Sequence, residues 1–175
     1  MPPLREAYAT AMADGERARS CPILRGRAWA LGLGVSAELL VPRERWGVAD
    51  PGRYLLAAID PTFPSRLGME DVLVGGDGFG LGAEDDTPVR AILGCGLSAV
   101  IASGFDPAFE RTALAHGLPA LVVNEALAIH TGARLRVDLE AERVVNLSSG
   151  DRFPIRNLDD AALELYRAAL GKSDA

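Results

Sequence analysis

From residue 71 onward, apolar and polar positions fall into alternating blocks. Asp71-Val72-Leu73-Val74-Gly75, Ser98-Ala99-Val100-Ile101-Ala102 and Pro119-Ala120-Leu121-Val122-Val123 are short runs without a polar face, the pattern of strands buried on both sides. The segments between them, about residues 87–95 and 106–116, have helical spacing. The order β-α-β-α-β predicts a parallel sheet covered by helices. Further on, Arg134-Leu135-Arg136-Val137-Asp138-Leu139 and Arg143-Val144-Val145-Asn146-Leu147 alternate at period two around Glu140-Ala141-Glu142, which predicts a β-hairpin. The run from Asp159 to Leu170 predicts a capped closing helix, with Leu163, Tyr166, Arg167 and Leu170 spaced for one face.

The first seventy residues are less regular. Leu4, Ala7, Tyr8, Ala11 and Met12 recur at intervals of three and four, predicting an amphipathic helix over 4–19 that stands apart as an arm. Arg27-Ala28-Trp29-Ala30-Leu31 predicts a strand, Gly32 and Gly34 a turn, and Glu38 to Val41 a second strand closed by Pro42. Asp50-Pro51-Gly52 predicts a helix through Ile59, with Asp50 as its cap and Pro51 in its first turn. The organisation expected is an N-terminal helical extension, residues 1–22, and one α/β domain, residues 23–175.

Length and composition fit that organisation. The 175 residues, 49% hydrophobic and 24% charged, suffice for one domain with a real core. A formal charge of −6 with a single lysine, Lys172, among 18 basic residues argues against nucleic acid as a partner, because phosphate binding needs clustered basic side chains. No apolar run of about 18 residues is present to span a bilayer, and the N-terminus lacks the apolar region of a secretory signal. A soluble cytoplasmic protein is expected, with no membrane partner. Cys21 and Cys95 are isolated thiols without CxxC spacing, which indicates neither a disulfide framework nor a metal or cluster site supplied by this chain.

The densest chemical signal is Gly75-Gly76-Asp77-Gly78-Phe79-Gly80-Leu81-Gly82, five glycines within eight residues between a strand and a helix start. Such a turn lets backbone approach a ligand. It lacks the GxGxxG register and no GKS or GKT follows, so a nucleotide site is not indicated. Glu84, Asp85 and Asp86 occupy the place an anion would take; each gains about 0.3 to 1 kcal/mol from the helix end, and together they oppose a second anion. Asp86 is the expected helix cap, with Thr87-Pro88 in the first turn. As oxygen ligands, Asp77, Glu84, Asp85 and Asp86 lack the spacing of a calcium loop, and no metal site is assigned. His116, just before Gly117, suits a helix C-terminus. Arg111 reads either as a solvated helix residue or as a contact to a substrate carboxylate. No Ser, His and Asp constellation is identifiable.

Together these segments resemble the small subunit of isopropylmalate isomerase (3-isopropylmalate dehydratase), itself similar to the swivel domain of aconitase, from about Gly26 to Leu170. Gly26-Arg27-Ala28-Trp29 through Gly32 to Leu40-Val41-Pro42 looks like the family's GRAW…G…TD.IIP opening. Asp71 to Gly82 looks like its D-I-L-V-A-G-x-N-F-G-x-G. Gly96 through Phe105, with Phe109, Arg111 and then Gly117-Leu118-Pro119, is similar to its G-(I/V)-x-A-(V/I)-I-A-x-S-(F/Y) segment and the following G-(I/L)-x-P. Residues 71–118 align without a gap.

The resemblance implies an aconitase-type swivel domain: a mixed β-sheet, surrounding helices and a β-hairpin. It also implies a hydro-lyase of leucine biosynthesis, acting with a large subunit that carries the 4Fe-4S cluster while this chain binds none. Self-association is a second partner reading. Where the family continues S-S-R-E, this chain has Ala83, Glu84, Asp85 and Asp86. The hydroxyl becomes a methyl and the guanidinium a carboxylate, so no catalytic residue is assigned, and Gly80, Gly82 and Arg111 remain as substrate contacts. The expected function is a divergent small-subunit-like protein, inactive alone; the other reading is a non-catalytic binding or regulatory relative.

Overall fold

A computed structural model describes residues 20–171; the helix expected over 4–19 lies outside them. Seven strands form one mixed sheet in the order β4-β3-β2-β1-β5-β6-β7. Its parallel half consists of β1 (Leu24–Gly32), β2 (Val72–Gly75), β3 (Ala99–Ala102) and β4 (Ala120–Val122). On the other side of β1, the strands β5 (Arg134–Asp138), β6 (Arg143–Asn146) and β7 (Arg152–Pro154) are antiparallel. The central strands β2 and β3 are buried at every position, as their unbroken apolar runs require. The hairpin is present, and β7 extends it where the sequence pattern shows no strand.

Among the described residues five helices connect and cover the sheet: α1 (Ala37–Leu40), α2 (Phe63–Arg66), α3 (Thr87–Gly94), α4 (Pro107–Ala115) and α5 (Asp160–Leu170). Side-chain caps fix α4 and α5, as one does α1. Asp106 accepts the N–H groups of Ala108 and Phe109 at 3.1 and 3.3 Å, and Asp159 accepts that of Ala162 at 2.7 Å, leaving fewer orphan donors at each N-terminus. No helix of the described residues is long and apolar enough to cross a membrane.

Two expectations fail between residues 36 and 60. The strand over Glu38–Val41 is helix α1, because the Ser36 hydroxyl accepts the Leu39 N–H at 3.1 Å and the single turn buries Ala37, Leu40 and Val41. The helix over 50–59 is a 3-10 turn, Pro51–Tyr54, without a side-chain bond from Asp50. Leu56 has φ 55° and donates its N–H to Leu40 at 2.7 Å. That tertiary bond replaces the one a continuing helix would form.

The sheet separates two apolar cores. One lies between Ala28, Val72, Val74, Ile101, Leu121, Leu135, Val137 and Val144 and the inner face of α5 (Leu163, Tyr166). The second packs Leu73, Val100 and Ala120 against α1, α3, α4 and the 51–56 turn. Cys21 is buried in the first core and its N–H bonds Glu140 at 2.9 Å, so the segment just before β1 is tied to the hairpin. The second core includes no residue of β5, β6 or β7, so among the described residues no helix covers that face of the antiparallel half.

Candidate functional site

The carboxyl ends of β1, β2 and β3 point to one edge of the sheet, and the glycine turn sits there between two other loops. Its backbone is held like a strand on both sides. Gly80 N–H donates to Val35 O at 2.8 Å and Ala37 N–H to Leu81 O at 2.9 Å; opposite, Phe79 N–H donates to Gly104 O at 3.1 Å and Asp106 N–H to Phe79 O at 2.9 Å. Bridges Ser36↔Leu81 and Phe79↔Phe105 continue the parallel register past the strand ends. In a parallel sheet this edge is where ligands meet loops and helix N-termini.

Aromatic packing sets the depth of the turn. Phe79, fully buried, contacts Phe105 and Phe109 edge-on at 5.7 and 5.5 Å, and those two rings stack at 5.9 Å. Gly80 has φ +84°, and a Cβ there would overlap the Phe109 ring. Only glycine meets both conditions, so this residue fixes the distance between turn and α4. Gly82 has a similar φ of +86° and open space around it. Gly80 is therefore backbone support for the site, while Gly82 stands exposed at its rim.

Each carboxylate after the turn has a partner within the protein. Glu84 Oε2 meets Arg43 Nη2 at 2.6 Å, and Arg43 Nη1 also reaches Glu38 Oε1 at 3.2 Å. The Arg43 guanidinium lies 4.7 Å from the centroid of the Trp46 ring, and its hydrogen bonds to Glu84 and Glu38 raise its pKa. Asp85 Oδ1 accepts the Thr87 N–H at 2.8 Å. Asp86 occupies the cap position but makes no side-chain capping bond, contrary to expectation. Its oxygens instead face Arg90 Nη1 at 3.6 Å and His116 Nε2 at 3.4 Å. Asp85 reaches the first-turn amide first, leaving Asp86 free to face Arg90 and His116.

The segment after α1 thus lies as a strap along the turn and α3. Arg43 holds Glu84, Gly47 N–H donates to Thr87 Oγ1 at 3.1 Å, and Arg90 Nη2 donates to the carbonyls of Val48 and Ala49 at 3.0 and 3.2 Å. Sequence reading did not single out Arg43 or Trp46: the Arg43 contact that reaches the site, to Glu84, spans 41 residues, while Trp46 bonds Val41 O and lies under Arg43. Phe105 and Phe109, four residues apart around a helix start, were the available signal for the ring cluster.

Ala83 is half-buried and presents only a methyl group. Arg111 is exposed on α4, without a side-chain partner among the described residues. His116 spends its Nε2 on Asp86. The two thiols lie in different layers: Cys21 Sγ points to Leu163 O at 3.9 Å and Cys95 Sγ to Gly52 O at 3.2 Å. Burial pushes both up to about 11, which keeps them as thiols rather than thiolate ligands. Among the described residues no three His, Cys, Asp or Glu side chains gather as a metal site.

No family model matches the chain. The 3-isopropylmalate dehydratase small subunit of Pyrobaculum islandicum is 34% identical over 148 residues, covering 81% of this chain and 91% of that protein. The protein of the same name from Moorella thermoacetica is 30% identical over 150 residues, covering 83% and 90%. The isopropylmalate/citramalate isomerase small subunit of Methanocaldococcus jannaschii is 29% identical over 152 residues, covering 83% and 89%. A crystal structure of 3-isopropylmalate dehydratase from Methanocaldococcus jannaschii has a TM-score of 0.76 at 27% identity and covers 87% of this chain and 99% of that one.

Proposed function

The chain belongs to the 3-isopropylmalate dehydratase small-subunit family, and from that premise we propose that it is the swivel-type small subunit of a hydro-lyase acting on a hydroxy-dicarboxylate. It works only in complex with a large subunit, and it is inactive alone. The observation that carries this reading is the glycine turn, a pre-ordered backbone loop at the ligand edge of the sheet, fastened on both flanks and backed by aromatic rings. A loop so fixed loses little entropy when a partner closes on it.

Hydration and dehydration of a hydroxy acid need a group that removes a proton and one that helps hydroxide leave. A 4Fe-4S cluster on the large subunit would supply the second, as a Lewis acid. The residues of this chain do not fit a cluster, since the two cysteines lie in different layers and are both held protonated. The same turn has a methyl at Ala83 and acids rather than cations at 84–86, and Glu84, Asp85 and Asp86 are each engaged within the chain. This subunit would therefore contribute backbone contacts near Gly82 and the exclusion of water, while proton transfer rests with the partner.

The test is reconstitution. The full chain is purified with the cluster-bearing large subunit of the same organism and assayed for isomerisation of 2-isopropylmalate, citramalate and citrate. Turnover by the pair, with neither component active alone, is expected. Turnover by this chain alone would overturn the reading. The engagement of all three carboxylates also favours a second reading, a regulatory relative that binds the large subunit without supporting turnover; a stable complex with no activity on any of the three acids would select it.

A further inference from the structure

The open face of the antiparallel half is basic. Arg25 and Arg136 are direct cross-strand partners, as are Arg27 and Arg134. The first row continues through Val145 to Arg152, and Arg143 opposes Asp138 in the next row. Because side chains alternate along a strand, these arginines all share the face opposite Leu135, Val137, Val144 and Phe153, which are buried. Arg25, Arg27, Arg134, Arg143 and Arg152 are exposed and Arg136 is half-buried.

Little inside the protein balances them. Arg27 lies 3.6 Å from Asp71 Oδ2 and 4.8 Å from the centroid of the Trp29 ring. The side chains of Arg25, Arg134, Arg136, Arg143 and Arg152 have no ion-pair or hydrogen-bond partner among the described residues. Like charges directly opposite in an antiparallel pair destabilise the sheet, so folding gains nothing from two such pairs side by side. The arrangement is the more pronounced in a chain of formal charge −6.

We propose that this arginine face is the surface on which the chain docks a carboxylate-rich patch of its large subunit, a proposal that rests on the small-subunit reading above. Three observations select that occupant. Planar guanidinium forks pair bidentately with carboxylates, and every cation on the face is arginine. The net negative charge of the chain repels a long polyanion such as nucleic acid at the distances where steering acts. A two-fold contact between copies would set arginines against arginines. The face also adjoins β1, whose other end leads into the loop beside the glycine turn, so docking there holds the sheet without occupying the turn.

The experiment measures the affinity of the full chain for the large subunit at two salt concentrations, for the wild type, R136E/R152E, R136K/R152K and the control R53E/R156E, whose positions lie elsewhere on the surface. R136E/R152E is expected to weaken binding about tenfold or more and to flatten the salt dependence, with the lysine variant intermediate and the control unchanged. Its melting temperature should equal or exceed that of the wild type, which separates loss of docking from loss of folding. A complex that forms with unchanged affinity in R136E/R152E overturns the docking surface and leaves the small-subunit reading standing. Absence of any complex overturns both. A shift of the wild type, but not of the variant, on single-stranded RNA or in self-association by sedimentation would assign the face to one of those partners and overturn the proposal.

Discussion

The two halves of the sheet solve the same problem differently. The central strands of the parallel half are sealed on both faces, β2 and β3 being buried throughout, and the glycine turn and its neighbours lie in the loops at their carboxyl ends. The antiparallel half buries one face and shows the other to solvent, where alternate positions are free of packing constraint and carry arginine. Burial on both sides leaves only glycine and aromatic shape to specify a site, whereas an open face specifies one by charge. Substitutions in the first half should therefore read out as stability, and those in the second as association.

The largest effect expected is at Phe109. Its ring is fully buried and contacts both Phe79 and Phe105, so Phe109→Ala should cost about 3–5 kcal/mol in urea unfolding. A loss below about 1 kcal/mol would mean that the ring cluster does not set the turn. Next come the matched glycines. Gly80→Ala meets both a left-handed φ and the Phe109 ring, whereas Gly82→Ala meets only the φ. Expected losses are about 3 and about 1 kcal/mol. Equal losses at the two positions would remove the distinction between support and rim.

A smaller, pH-dependent effect is expected where α5 meets the hairpin. Arg167 grips both oxygens of Glu140 at 2.8 and 2.7 Å, and this pairing, with the Cys21 N–H, lowers the Glu140 pKa from 4.5 to about 2. A carboxylate depressed on folding adds stability that is complete above its unfolded pKa and fades as pH falls through its folded one. Wild type should exceed Glu140→Gln by about 1 kcal/mol at neutral pH, the gap narrowing between pH 4.5 and 2. A gap independent of pH would refute the ion pair as its source. The smallest effect is at Arg136, where Arg136→Thr relieves a like-charge pair and should raise stability by a few tenths of a kcal/mol. A clear loss would show that the arginine face is packed rather than poised.

Much of the parallel half was legible in the chain. Val72–Gly75, Ala99–Ala102 and Ala120–Val122 are apolar on both faces because they are buried on both, and Asp106 and Asp159 mark their helices by chemistry acting within three residues. One misreading was local, the Ser36 cap that makes Ala37–Leu40 a helical turn; two others lie where the deciding contact is distant. Leu56 ends its helix by bonding Leu40, and β7 gains strand character only from β6. At the site, the five glycines were evident. The distant partners of the acids that follow them were not: Glu84 meets Arg43, 41 residues away, and Asp86 meets His116, just past the end of α4.

Sequence alone determined the periodic elements and the ligand-edge turn, because burial and local capping write themselves into spacing. Tertiary structure alone decided which acids are neutralised and which cations are not. Arg25, Arg136 and Arg152 are spread over more than a hundred residues of a net acidic chain, and only strand pairing brings them onto one face, because electrostatic energy depends on distance in space and not on separation along the chain.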